Sequence, residues 1–286
     1  MKTIILSDIQ GKSKSVIPYG LRFGKHTGTE VEIVHAIDPR TAQGVSSPYA
    51  NSQQITPGAT LSHEEIMRRE RSKAQMALEK FISSEGSRLN YPLKIDMKIK
   101  DGSVEEMMSE ITSTYPGSIV IASNNPSNSV VEDMDEMLEI ARSIELPTLF
   151  ISPEYPFSVP KNTMLLTDFK HTDYETLKEM IHWLVPFHPN IHAYGLAGSK
   201  EHLDMDMESG AWKKMVNAFV DPPMIVEASV IDYGATLDVL LDSLNRNGAE
   251  MLLIPRYLLK ASAGSPFSKK SFKKVLREVN IPVALF

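Results

Sequence analysis

The chain repeats one order of landmarks twice along its length. A short apolar run ending in an acid opens each half, at residues 3–8 and 163–168. Later, a turn glycine precedes a helical pattern and an apolar strand, from Gly102 in the first half and Gly234 in the second. Each half closes on a strand led by proline. Repetition at this scale predicts two copies of one fold instead of a single large domain.

The length and a proline-rich segment agree with this division. The chain has 286 residues, enough for two domains of about 140 residues each. Residues 153–160 contain three prolines, which cannot continue a helix or a central strand. We therefore expect a first domain at 1–152, a stiff linker at 153–160 and a second domain at 161–286.

Within each half, apolar runs of four to six residues alternate with segments of helical periodicity. Apolar side chains recur at helical spacing, for example at Val104, Met107, Met108 and Ile111. This alternation predicts βαβ units, and thus an α/β fold with a doubly wound parallel sheet in each domain. Ligands of such sheets bind outside the carboxyl ends of the strands, which places Asp8 and Asp168 at the mouths of two candidate sites. A turn or cap role is the alternative for both residues.

His35 and His192 each stand in a short run built around His-Ala. We interpret them as matching positions on two buried strands, where a histidine is more often hydrogen-bonded in the core than catalytic.

Composition and charge exclude several functional classes. The net charge is −6, without the basic excess that binding to a nucleic acid requires. The absence of cysteine excludes disulfides, thiolate metal sites and cysteine nucleophiles. No apolar stretch approaches the roughly 20 residues of a membrane helix, and the first apolar run is too short for a signal peptide. We expect a cytoplasmic protein with neither a nucleic-acid nor a membrane partner.

Taken together, the ordered landmarks resemble the domains of the universal stress protein family. The resemblance covers nearly the whole chain and makes it a tandem, two-domain member. It implies an adenine-nucleotide α-hydrolase-like fold of five strands in each domain. In the branch of the family that binds ATP, the acid after the first strand contacts the nucleotide, and a glycine signature follows the fourth strand (Gly, two residues, Gly, nine residues, Gly-Ser or Gly-Thr). Such glycines let backbone N–H groups approach phosphates closely.

Neither half carries that glycine signature. In the first half, carboxylates stand at the helix start, where they repel phosphates: Glu132, Asp133, Asp135 and Glu136. In the second half, Gly264 and Ser265 come too early to close the signature, but the surrounding segment is basic. Its charges either bind an anion in an altered mode or line a solvated helix face. The candidate ligand-binding residues are Asp8, Asp168, Pro255, Arg256, Gly264, Ser265, Lys269 and Lys270.

The sequence lacks catalytic and metal-binding motifs. There is no Gly-x-Ser-x-Gly elbow, no Walker-type lysine loop and no His-Glu-x-x-His spacing. We expect a non-enzymatic stress-response protein without a cofactor, binding a small ligand or a protein partner but not ATP in the usual mode of the family. One alternative is a protein that binds or slowly hydrolyses a nucleotide at a modified site in the second domain. A second alternative is a scaffold acting through the irregular loop at 39–62.

The family resemblance also implies a partner surface. Its members pair their last strands across a two-fold axis, so residues 148–152 and 283–286 are expected to pair within this chain as a pseudo-dimer. Such pairing satisfies two edges that otherwise invite aggregation. A homodimer of the whole chain is a further option.

Overall fold

The computed structural model describes most of the chain, which falls into two compact units. The described residues are 1–7, 16–37, 39, 62–89, 93–125, 134–167, 169, 174–197, 202–218, 223–232, 236–259 and 269–286. One unit comprises Met1–Leu146 with Ser152–Phe157, and the other comprises Pro147–Ile151 with Ser158–Phe286. In the described part of the chain, no helix is long and apolar enough to cross a membrane.

The first unit alternates strands and helices and forms a parallel sheet in the order β3-β2-β1-β4. Its strands are continuous apolar runs because both faces are covered: Ile4, Ile5, Val31 and Ile33 are fully buried. The elements are β1 (Lys2–Leu6), α1 (Val16–Thr27), β2 (Glu30–Ile37), α2 (His63–Leu89), β3 (Ile95–Asp101), α3 (Val104–Thr114), β4 (Ile119–Ser123) and α4 (Met134–Ser143).

In the described residues, the second unit has the strand order β5-β10-β9-β6-β7-β8, and its strand pairs are parallel except for that of β5 with β10. Its elements are β5 (Thr148–Ile151), β6 (Asn162–Thr167), α5 (Tyr174–Leu184), β7 (Asn190–Ala197), α6 (His202–Asn217), β8 (Ile225–Asp232), α7 (Thr236–Arg246), β9 (Met251–Ile254), α8 (Lys269–Glu278) and β10 (Val283–Leu285). A 3₁₀ turn, Arg256–Leu259, follows β9. The described residues thus give five strands in each half of the sequence, and the predicted doubly wound α/β fold is confirmed.

Strand β5 closes the first half of the sequence but packs in the second unit. It runs antiparallel to β10, with Phe150 opposite Val283 and Thr148 opposite Leu285. The Phe150 ring meets that of Phe272 on α8 edge to face, with 6.0 Å between the ring centroids. All four β5 residues are buried.

The predicted turn glycine of the first half begins α3. Gly102 has a φ of 134°, a region that residues with a side chain rarely adopt. The next residue, Ser103, is the N-cap, and its hydroxyl accepts a hydrogen bond from the Glu106 backbone N–H in a capping box. Gly234, the counterpart of Gly102, lies outside the described residues.

Residues 152–161 form neither helix nor strand, and the first part of this segment packs on α1. The ring of Phe157 meets that of the buried Tyr19 edge to face at 5.2 Å, and Tyr155 lies 6.5 Å from Tyr19. Burial raises the pKa of the Tyr19 phenol well above its usual range. Aromatic contacts therefore hold the first part of this segment against α1.

Strand β8 lies at the outer edge of the second unit, where its backbone groups need partners. The register against β7 shifts between Ile191 and His192, which leaves Val226 as an extra residue. The side-chain amide of Asn217 donates to the Ile225 carbonyl at 2.8 Å and accepts from the Ile225 N–H at 2.9 Å. Lys213 donates to the Val226 carbonyl. A bulge and capped backbone groups are devices that block pairing with another edge strand.

Replacing Asn217 with alanine should lower the free energy of unfolding by about 1–2 kcal/mol, because two hydrogen bonds to the strand backbone are lost. Urea denaturation measures the change. Asn245→Ala, an exposed asparagine on α7, is the matched control and should stay within about 0.5 kcal/mol of the wild type. An equal loss in the two variants would contradict the role of Asn217.

Candidate functional site

Strand order defines where a ligand would bind in each unit. The first strand of each unit lies between the second and the fourth: β1 between β2 and β4, and β6 between β7 and β9. Connections therefore leave the first and fourth strands in opposite directions, which opens a crevice outside their carboxyl ends. In the second unit, the β6–β9 crevice lies at Thr167 and Pro255, two residues beyond the paired residues Leu165 and Leu253.

The structure describes four of the eight predicted site residues. Pro255 and Arg256 directly follow β9, while Lys269 and Lys270 begin α8. The other four lie outside the described residues: Asp8, Asp168, Gly264 and Ser265. The irregular loop at 39–62 also lies outside them, apart from Pro39 and Ser62. In the part of the chain that the structure describes, no three residues are grouped to hold a metal ion.

A hydrogen bond crosses the β6–β9 crevice. The hydroxyl of Thr167, at the end of β6, lies 3.3 Å from the phenolic oxygen of Tyr257 in the 3₁₀ turn. The same threonine oxygen accepts the backbone N–H of Phe169 at 3.1 Å. Tyr257 and Thr167 therefore tie together the two segments that leave the crevice. The sequence patterns did not point to this pair.

The backbone donors after β9 are used within the protein. Pro255 has no N–H, the Arg256 N–H donates to the Phe286 carbonyl at 2.5 Å, and the Leu258 N–H donates to the Pro255 carbonyl at 3.1 Å. A loop that cradles phosphates needs such N–H groups turned toward the ligand. In the described residues at the end of β9, the N–H groups of Arg256 and Leu258 instead donate to carbonyls of the protein itself.

The positive charge of Arg256 acts on an acid of α5. The pKa of Glu179, on α5, is raised by burial, and the charges of Arg256 and His182 oppose this rise without cancelling it. Arg256 is half-buried, so its charge is only partly open to a ligand from solvent. The segment after β9 thus offers an anion less attraction than the sequence alone suggests.

Helix α8 begins with cations. Its first turn contains Lys269 and Lys270 and no acid, an arrangement that the helix dipole disfavours. Lys270 is exposed and Lys269 is half-buried. Further along, Lys274 pairs with Glu278 at 3.7 Å. The first turn of α8 is therefore cationic, and the ammonium of Lys270 is exposed there.

The corresponding region of the first unit carries two serines. Ser7, directly after β1, is buried, and its hydroxyl has no hydrogen-bond partner in the described part of the chain. Its backbone carbonyl accepts the Nδ1–H of His35 at 3.0 Å. Ser123, at the end of β4, accepts the Asn125 backbone N–H at 3.1 Å. Asp135 and Glu136 stand in the first turn of α4, as the sequence indicates.

The expected equivalence of His35 and His192 is wrong. Lys2 of β1 pairs with Glu30, and Asn162 of β6 pairs with Asn190, so the two registers align on these strand starts. His35 is the sixth residue of its strand and His192 is the third. His35 therefore corresponds to Gly195, and His192 corresponds to Glu32. His192 lies 3.1 Å from the Glu227 carboxylate, away from the carboxyl end of β7.

Phe169 covers the carboxyl ends of β6 and β7. Thr167 pairs with Gly195, and a Cβ built on Gly195 would stand 2.5 Å from the Phe169 ring. On its other side, the ring meets Trp212 of α6 edge to face at 5.2 Å. A feature that the sequence patterns did not reveal thus fills this end of the second unit.

No protein-family model and no curated protein matches the sequence. Among solved structures, a universal stress protein from Archaeoglobus fulgidus matches 99% of this chain over 97% of its own, with 12% identity and a TM-score of 0.62. A functionally unknown protein from Pseudomonas aeruginosa matches 100% of this chain over 92% of its own, with 11% identity and a TM-score of 0.57. The chain therefore has the fold of a universal stress protein, carried over two α/β units.

Proposed function

We propose that the chain is a non-enzymatic stress-response protein of the universal stress protein type. It acts in the cytoplasm by binding a small ligand or a protein partner, not ATP in the usual mode of that family. The likeness in fold supports the type. The hydrogen bonds and charges at the β6–β9 crevice support a ligand other than ATP.

One observation carries this proposal: among the described residues after β9, two backbone donors are already bonded within the protein. The N–H groups of Arg256 and Leu258 donate to carbonyls of the protein, and Pro255 has none to offer. A triphosphate at this place would have to replace those bonds before it gained its own. Since each buried N–H that loses its partner costs about 1–3 kcal/mol, an unchanged turn favours a ligand without phosphates.

Native mass spectrometry of gently purified protein should detect no nucleotide at one per chain. Isothermal titration with ATP or ADP should give no heat up to about 1 mM, where binding is worth about 4 kcal/mol. Incubation with ATP should release no inorganic phosphate above the buffer rate. A retained nucleotide, or saturable heat, would reject this mode of action and favour a nucleotide-binding protein. The same spectra report the mass of the assembly and so test the option of a homodimer.

The cationic first turn of α8, where Lys270 is exposed, favours the second candidate, a nucleotide or phosphorylated metabolite bound in an altered mode. This hypothesis requires that binding depend on the first turn of α8. Lys270→Ala should then weaken ATP binding by about fivefold or more, since a single charge contact to phosphate is worth about 1 kcal/mol or more. Lys274→Ala, at the other end of the same helix, is the matched control and should leave binding unchanged.

The stress role needs a test of its own. A strain that lacks the gene should survive a stress less well than its parent, and the intact chain should restore survival. Equal survival under every stress tried, together with selective cross-linking of residues 39–62 to cellular proteins, would favour the scaffold alternative.

A further inference from the structure

In the second unit, the ring of Phe169 occupies the space beside Gly195, where the strand β7 has no side chain. In the first unit, His35 stands at the sixth position of the second strand. In the second unit, that position is Gly195, which has no side chain. The ring of Phe169 fills the space instead, from a backbone position two residues beyond β6.

Three features of the ring's surroundings suit one flat aromatic group. Gly195 forms a floor on which even a Cβ would stand 2.5 Å from the ring. Trp212 forms a wall, with 61° between the two ring planes. The Phe169 side chain is only 8% exposed in this position. A glycine within a strand often marks a place where another group approaches the backbone closely.

Two further observations show that the position of the Phe169 ring beside Trp212 has an energetic cost. Phe169 has a φ of 54°, in the left-handed region that is unfavourable for a residue with a side chain. Trp212 is 5% exposed, yet its Nε1–H has no acceptor among the residues that the structure describes. Backbone strain and a buried donor without a partner are features that gather at binding sites.

We propose that Gly195 and Trp212 form a slot for one planar aromatic ring, and that Phe169 is the chain's own occupant of it. A small aromatic molecule takes the slot when the Phe169 ring leaves it. The slot lies at the carboxyl ends of β6 and β7, beside the β6–β9 crevice, and its occupation by an aromatic ring does not rest on the proposed function.

A double-mutant cycle tests whether the ring occupies the slot. In the wild type, Gly195→Ala forces its Cβ against the Phe169 ring and should lower the Tm by about 5 °C or more. In a Phe169→Ala background the same change should cost less than about 2 °C, because the ring is gone. Equal losses in the two backgrounds would overturn the assignment. Phe169→Leu carries the same cycle if the alanine variant does not fold.

Benzene tests whether the slot takes a ring from solution. Added to Phe169→Ala, benzene should shift the indole N–H signal of Trp212 in a saturable way and leave that of Trp183 in place. In the wild type benzene has to displace the Phe169 ring, so the same shift of the Trp212 signal should appear there only at a higher benzene concentration. Phe272→Ala makes a cavity against α8 and β5, and benzene there should leave both indole signals unchanged. The proposal would be overturned if benzene did not shift the Trp212 signal of the Phe169→Ala protein.

Discussion

Replacing Phe150 with alanine should lower the free energy of unfolding of the second unit by about 3–5 kcal/mol. The side chain is completely buried, lies opposite Val283 and packs on Phe272. Loss of a buried ring removes its transfer free energy and leaves a cavity that the surrounding sheet cannot close. Both tryptophans of the chain, Trp183 and Trp212, lie in the second unit, so their fluorescence in urea reports this transition.

Val159→Ala is the matched control for Phe150→Ala. Val159 belongs to the same unit but is 39% exposed, so its truncation should change the free energy of unfolding by less than about 0.5 kcal/mol. A loss below about 1 kcal/mol for Phe150→Ala would show that β5 contributes little. A normal tryptophan transition, with the loss seen only by probes of the first unit, would show that β5 packs elsewhere.

The sequence predicts the fold well because its strands are continuous apolar runs. Residues 3–6 and 163–166 are buried on both faces, and runs of this kind with helical segments between them fit few arrangements other than a parallel α/β sheet. The turn at Gly102 was also readable, since its conformation favours glycine. These signals are local, and each depends only on residues close together in sequence.

Strand register could not be predicted, because it depends on contacts distant in sequence. His35 and His192 share a His-Ala pair, but their strands begin five and two residues earlier, and nothing local fixes those starts. The pairing of β5 with β10 was expected from the family resemblance and not from a local signal, since β10 lies more than 130 residues later in the sequence.

The candidate site was predictable in position but not in chemistry. Pro255 and Arg256 do follow β9, where the sequence puts them. The sequence does not show that the Arg256 N–H is already bonded or that the charge of Arg256 acts on Glu179. The sequence did contain one signal for the Phe169 slot: Gly195, a glycine inside a buried strand. A search for motifs does not detect such a glycine.

Replacing Lys2 with methionine should destabilise the first unit by about 3–5 kcal/mol. The Lys2 ammonium lies 2.7 Å from the carboxylate of Glu32, 3.4 Å from Asp96 and 4.2 Å from the centre of the Tyr115 ring. The Glu32 side chain is only 5% exposed, so the variant leaves a buried carboxylate without its cation. Urea denaturation followed by far-UV circular dichroism measures the loss.

The double variant Lys2→Met with Glu32→Leu should recover most of that loss, because an apolar pair can replace a buried ion pair at little cost. Lys94→Met, which breaks the exposed Lys94–Glu30 pair of the same sheet, should match the wild type within error.

The dependence on pH gives a further check on the Lys2–Glu32 pair. Burial lowers the pKa of Lys2, but the hydrogen bond and charge of Glu32, aided by Tyr115, outweigh burial and raise it above 10.5. A cation whose pKa is raised on folding contributes stability that is complete below its unfolded value and lost as the pH rises through the folded value. The part of the difference between the wild type and Lys2→Met that comes from the charge of Lys2 should therefore be complete up to about pH 10.5 and shrink only above it. A difference that disappears between pH 6 and 9 would mean that a group other than Lys2 holds Glu32 in the core.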